Sequence, residues 1–221
     1  TVFIELYKKG LIYRGTRPIN WDPVAQTALS NIEVIHKTES GKMYYLKYFF
    51  EDSDEFLEIA TTRLETLASD TAVVVHPNDE RYKSVVGRRV ITPFRKEAVP
   101  IITDEYIDME FGSGAMKCSA HGNGDYEILI KNGLEVRESI NPDGLLNANA
   151  LEFEGLDRET GRKKIAEKLL KEGLITKILD HTSEVGHSER TDAVVEIMVM
   201  PQWFVKMEPL AQQVLEWQQD P

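Results

Sequence analysis

The sequence predicts an α+β protein with a β-barrel-like core and surrounding helices. Short runs rich in aromatic and β-branched residues crowd the middle of the chain, among them "KMYYLKYFF", "EFLEIATT" and "TAVVVHP". Glycines and prolines punctuate them closely, as turns between short strands require. Few helical patterns separate them, which argues against a doubly wound sheet.

In chain order, "VFIELYKKG" reads as a short helix ended by Gly10. "LIYRGTRPINWDP" is extended. "ESGK" and "EDSDE" supply turns around the aromatic runs, so 42–50 and 55–62 form a hairpin. "TAVVVHP" is a buried strand stopped by Pro77. "NDERYKSVVG" offers an Asn cap, first-turn acids and a closing glycine, so a helix is expected there. "RRVITP", "AVPIITD" and "GAMKCSA" are three further strands. "NGDYEILIKNGL" is a helix begun by Asn123 or Asp125. "LDRETGRKKIAEKLLKEGLI" is the clearest helix, capped by Asp157 and stopped by Gly173. "TKILDH" and "AVVEIMVM" are strands, and "PLAQQVLEWQQ" is a last helix.

The 221 residues are 42% hydrophobic, with no apolar run long enough to span a bilayer, so a soluble protein is expected. Cys118 is the one cysteine, which excludes a disulfide framework and suits a reducing, cytoplasmic compartment. No signal peptide is visible. The net charge of −11 argues against a general nucleic-acid coat protein. Local basic runs, "GRRVITPFRK" and "RKK" at 162–164, read most plainly as solvated faces. The chain opens without methionine inside one helical pattern and closes in another, so a piece of a longer polypeptide is expected.

"FGSGAMKCSAHGNGDYE", residues 111–127, concentrates the candidate chemistry. A zinc site needs three or four ligands, and nothing joins Cys118 and His121, so no metal is expected. His181 and His187 flank a glycine-containing turn with no cysteine. "GSGAMK" lacks P-loop spacing. Alternation on a strand puts Lys117 and Ser119 on one face and Cys118 on the other, toward the core, so Cys118 is no nucleophile. A Gly-rich turn then leads to Asp125 at a helix start. That aspartate is either a cap paired with a lysine or a carboxylate offered to a ligand ammonium. "ATTRLETLASD" is a second polar cluster, carrying Thr62, Arg63, Glu65, Thr66 and Asp70. Here Thr62 and Glu65 could form a capping box with Arg63 on the surface, or the hydroxyls and arginine could serve a small polar ligand.

Taken together, "ATTRLET…SDTAVVVHPNDERY", "VPIITDEYIDMEFGSGAMK", "AHGNGDYE", "FEGLDRETGRKKI" and "QWFVKMEPLA" resemble the inserted editing domain of the valyl-tRNA synthetase family. The resemblance covers nearly the whole chain. It implies strands and a helix leaving the catalytic domain over 1–40, the editing domain over 41–182, and a return linker over 183–221. It implies hydrolysis of mischarged threonyl-tRNA for valine, an aminoacyl-tRNA deacylase activity. The class I signatures for ATP are not in this segment, so ATP and Mg2+ would belong to the parent enzyme and no cofactor is expected here. The implied partners are a tRNA acceptor end and the catalytic domain of the same polypeptide, in a monomer.

Carried over by position, the resemblance makes Asp125 the anchor of the substrate α-ammonium. Arg63, Thr66, Phe111, Lys117 and Ser119 would line the amino-acid pocket, with Thr62 and Asp70 supporting it. His121 would either contact the terminal adenosine or order the turn. There are departures: Leu64 replaces the usual proline, "KCSAH" is one residue short, and Gly122 stands where aspartate is usual. They motivate two other readings, a non-catalytic module that guides the acceptor end and an isoleucine-type site acting on valyl-tRNA.

Overall fold

A computed structural model of the chain describes residues 1–122 and 124–219. Its helices and strands are α1 (Val2–Lys8), β1 (Ile12–Asp22), β2 (Thr27–Leu29), β3 (Val34–Phe50), β4 (Phe56–Thr61), β5 (Ala72–Val75), β6 (Arg89–Ile91), β7 (Ala98–Thr103), β8 (Ala115–Cys118), α2 (Asp125–Lys131), α3 (Arg158–Lys171), β9 (Ile175–Ser188), β10 (Glu196–Val205) and α4 (Met207–Gln219). Short 3-10 segments cover Leu64–Ser69 and Ala148–Phe153. Two compact units emerge, one of residues 1–17 with 199 onward, the other Pro18–Met198. In the first, Trp203 receives the ring edges of Phe3 and Tyr7 at 5.5 and 6.0 Å.

The second unit holds the candidate site. The expected hairpin forms between β3 and β4, with Tyr44 opposite Thr61 and Phe49 opposite Phe56. Hydrogen bonding then runs in the order β4-β3-β6-β7-β5-β8, and β9 pairs β3. β5 and β7 are parallel, while β8 lies antiparallel on β5 with Lys117 opposite Val73. The mixed α and β content matches expectation, but the barrel-like core does not. β4 and β8 end the path, and among the described residues no ladder closes them. The loop before β8 reaches the β4 edge, where a Cβ on Gly112 would lie 2.7 Å from the Ala60 Cβ. Closure needs continuous register around the ring, and a four-residue β8 beside this loop supplies none.

Leu46, Tyr48, Ile59, Leu64, Val73 and Ile101 fill the core between strands, and Ile165, Ala166 and Leu169 of α3 pack onto it. Each buried leucine, isoleucine or valine among them contributes roughly 1.5–3 kcal/mol relative to exposure. Asp157 caps α3 as expected, accepting the Thr160 N–H at 2.9 Å.

Local signals lose in three places. Residues 78–87 form successive tight turns instead of a helix, Tyr82 N–H donating to Asp79 C=O at 3.2 Å and Val85 N–H to Tyr82 C=O at 3.0 Å. The Asp79 carboxylate accepts the Arg81 N–H at 3.1 Å and also takes its guanidinium, offering the backbone an alternative to helix. "ESGK" does not turn either, because Ser40 and Gly41 are paired with Thr182 and His181 of β9. Gly186 also lies within β9, where Val34 Cγ1 would stand 2.8 Å from a Cβ, so His181 and His187 flank no turn. The expected boundaries near 40 and 182 fall on one rung of the β3–β9 ribbon, Ser40 opposite Thr182. Asn123, the alternative cap of α2, lies outside the described residues.

Candidate functional site

Three pieces of backbone converge: the 3-10 turn after β4, strand β8, and the loop from Cys118 into α2. Lys117 projects from β8 and is buried. Its Nζ donates to Thr66 Oγ1 at 2.7 Å and to Asp70 Oδ1 at 3.0 Å. The Thr66 hydroxyl in turn donates to Arg63 C=O at 2.9 Å, and the Tyr48 phenol donates to Asp70 Oδ2 at 2.6 Å. Burial pushes the Asp70 carboxyl up, against the pull of Lys117 and the Tyr48 hydrogen bond. Thr66, Asp70 and Lys117, separated in sequence, thus form one buried cluster.

Asp125 opens α2 and is 4% exposed. Its Oδ2 accepts the Ser119 N–H at 2.9 Å. Burial pushes this carboxyl up to about 6, with Lys117 and Arg63 drawing it back and Asp70 adding to the rise. The carboxylate therefore sits within the field of all three. Ser119 is buried and contributes its main chain to this hold.

Arg63 is neither a surface charge nor an open ligand arm. Its Nε donates to Glu65 at 3.1 Å, Nη1 to His121 C=O at 3.0 Å, and Nη2 to both Glu196 oxygens at 2.8 and 2.7 Å. Glu65 and Glu196 are fully buried. Arg162 takes Glu65 at 2.7 and 2.8 Å, and Arg158 takes Glu196 at 2.9 Å. Two carboxylates and three guanidiniums thus lock the 3-10 turn, α3 and the start of β10 together. The capping-box reading of Thr62 and Glu65 gives way to this network. Thr62 is partly buried beside it and makes no hydrogen bond to the Lys117 cluster among the described residues.

His121 is 2% exposed, with Nδ1 donating to Ile197 C=O at 3.0 Å and Nε2 accepting the Ser139 N–H at 2.8 Å. Burial pulls the imidazole down to about 4, so it is neutral, and both ring nitrogens are engaged by main-chain groups. Ser139, His121 and Glu196 resemble a nucleophile triad only in name, since Nε2 is taken by the Ser139 amide and not its hydroxyl. Cys118 lies among Val74, Ile128 and Leu129, and burial holds its thiol far above the ordinary range. Phe111 is 54% exposed and meets the His181 ring edge-on at 6.0 Å, outside the buried cluster.

Sequence reasoning missed Tyr48, Ser139, Arg158, Arg162 and Glu196 and misjudged Glu65. Glu196 did carry a signal: one acid inside the apolar run "AVVEIMVM" must find cations when buried.

The chain belongs to the class I tRNA synthetases: the family described as tRNA synthetases class I (I, L, M and V) matches residues 1–220. Among individual relatives, it is similar to the valine–tRNA ligases of Mycoplasmopsis pulmonis, 54% identical over 97% of this chain and 26% of that protein, and of Staphylococcus carnosus, 52% identical over 97% and 25%. The valine–tRNA ligase of Bacillus subtilis is 51% identical over 98% of this chain and 25% of its own length. The chain thus spans about a quarter of the length of these curated relatives. A solved ternary complex of Agrobacterium radiobacter K84 agnB2 LeuRS with tRNA and LeuAMS aligns at a TM-score of 0.49 and 21% identity, over 83% of this chain and 31% of that one.

Proposed function

We propose that this segment is the proofreading part of a valine-type synthetase and hydrolyses the ester of threonyl-tRNA for valine. The observation that carries the reading is the buried polar set, Lys117 on Thr66 and Asp70 with Asp125 in the same field. Threonine and valine have nearly the same shape, so a hydrophobic pocket separates them poorly. A site with hydrogen-bonding groups reverses the preference, because valine leaves those groups unpaired.

In this reading ionised Asp125 pairs with the α-ammonium of the aminoacyl group, and Lys117 with Thr66 meets the threonine hydroxyl. Asp70, itself held by the Tyr48 phenol, fixes Lys117 by accepting its hydrogen bond. Neither Cys118 nor His121 serves as nucleophile or base, one being a buried neutral thiol and the other having both ring nitrogens engaged. Water therefore adds to the acyl carbon, the ester C–O bond breaks, and the proton passes to the departing ribose oxygen with a neighbouring ribose hydroxyl assisting. Donors near the developing oxyanion lower the barrier.

One observation favours the guiding module: Arg63 and Lys117 direct their donors at partners inside the protein. Isoleucine-type clearance of valine would need an apolar floor, which Thr66, Lys117 and Asp70 do not make. The deciding experiment measures deacylation of threonyl-tRNA and valyl-tRNA by this chain, by its longer parent and by Asp125→Ala. Selective threonine release that vanishes in the variant supports the proposal. No release from chain or parent leaves the guiding module.

A further inference from the structure

We infer that Gly122 is a positioning residue for Asp125: the absence of a side chain at 122 is what lets the Asp125 carboxylate fold back onto the Ser119 amide. A Cβ built on Gly122 would stand 2.3 Å from Asp125 Cγ, 2.3 Å from Oδ2 and 2.4 Å from Oδ1. The whole carboxylate thus occupies the volume a side chain would need. No real Cβ tolerates such contacts, so carboxylate or loop must shift. Backbone conformation does not explain the glycine, because Gly122 is not among the positive-φ residues, unlike Gly124 at φ +80°. Gly124 is accounted for separately: a Cβ there would lie 2.7 Å from the Tyr106 ring. The two glycines ahead of α2 therefore serve different contacts, and that at 122 serves Asp125.

The carboxylate has little freedom to step aside. It is buried, and its Oδ2 is held by Ser119 N–H at 2.9 Å. Adding even a methyl group at 122 breaks that hydrogen bond or moves the loop. Residue 122 and Asp125 thus form one unit.

The test is a double-mutant cycle in the full chain, with thermal melts of wild type, Gly122→Ala, Asp125→Ala and the double variant. Gly122→Ala is expected to lower Tm by about 3–8 °C in the wild-type background, the usual range for an overpacked interior. In the Asp125→Ala background the same change should cost less than about 1 °C, since the colliding atoms are gone. Equal costs in both backgrounds overturn the inference. Amide hydrogen exchange gives a second readout on Gly122→Ala alone. Protection of the Ser119 amide should fall at least tenfold while β8 amides paired with β5 keep theirs, and unchanged Ser119 protection also overturns it. Neither measurement uses activity. The activity arm alone rests on the deacylase reading: there Gly122→Ala should reduce threonyl-tRNA deacylation at least tenfold, and a wild type without deacylation sinks that reading while the cycle still stands.

Discussion

Asp125 is held in a place that opposes its own charge. Its carboxyl is pushed from an ordinary 3.8 up to about 6 by burial, so the folded state binds its proton more tightly than the unfolded one. Stability from this group is greatest below about pH 4 and is lost as pH rises through 6, a cost on the order of 3 kcal/mol once ionised. Asp125→Asn keeps an acceptor for the Ser119 amide and removes the charge. Urea melts at pH 8 should show the variant more stable by roughly 1–3 kcal/mol, while deacylation is lost; a destabilised variant would contradict the assignment. His121 has the opposite sign. Burial lowers its imidazole to about 4, so its stability is present above about 6.5 and lost on acidification toward 4. Asp125→Asn removes the opposing slope, so proton uptake on unfolding between pH 6.5 and 5.5 should exceed that of the wild type. Catalysis under the proposal needs the ionised aspartate, so its rate should climb with an apparent pKa near 6, and a flat profile between pH 5 and 8 would count against it. Alternation along "GAMKCSA" placed Cys118 in the core correctly, since the period of a strand is a local property. The neutrality of His121 was not legible, because its partners lie at Ser139 and Ile197, far along the chain.

At the scale of elements, the 3-10 turn Leu64–Ser69 owes its place to paired charges as well as to its buried leucines. Glu196 at the start of β10 binds Arg63 and Arg158, and Glu65 binds Arg63 and Arg162. Replacing one partner leaves buried charge uncompensated, which is far costlier than losing an exposed pair. Glu196→Ala should therefore destabilise the chain by about 3–5 kcal/mol. Breaking the exposed Lys163–Glu159 pair on α3 should leave the denaturant midpoint unmoved. Comparable losses from both would show that the network contributes no more than surface charge. Helices and strands with strong periodicity, α3 and the β3–β4 hairpin, were legible, since one amphipathic pattern dictates each. The turns at 78–87 and the straight passage through "ESGK" were not. Both depend on distant or competing partners, the Asp79–Arg81 grip in one case and β9 in the other.

For the molecule as a whole, the net charge of −11 sets how it meets a polyanion. Binding of tRNA by this chain is expected to be weak and to fall steeply from 50 to 200 mM salt, and tight salt-independent binding would refute an electrostatic contact. Order of motifs along the chain made the family legible, whereas an open rather than closed sheet was not, because closure is decided by register around the ring. The rung joining Ser40 to Thr182 has a further consequence. Everything between those residues is a lasso whose two ends are already knotted side by side. Such a loop can change in length and chemistry between its ends while its point of suspension stays fixed, so long as Arg63 and Arg158 within it keep their hold on Glu196 beyond it.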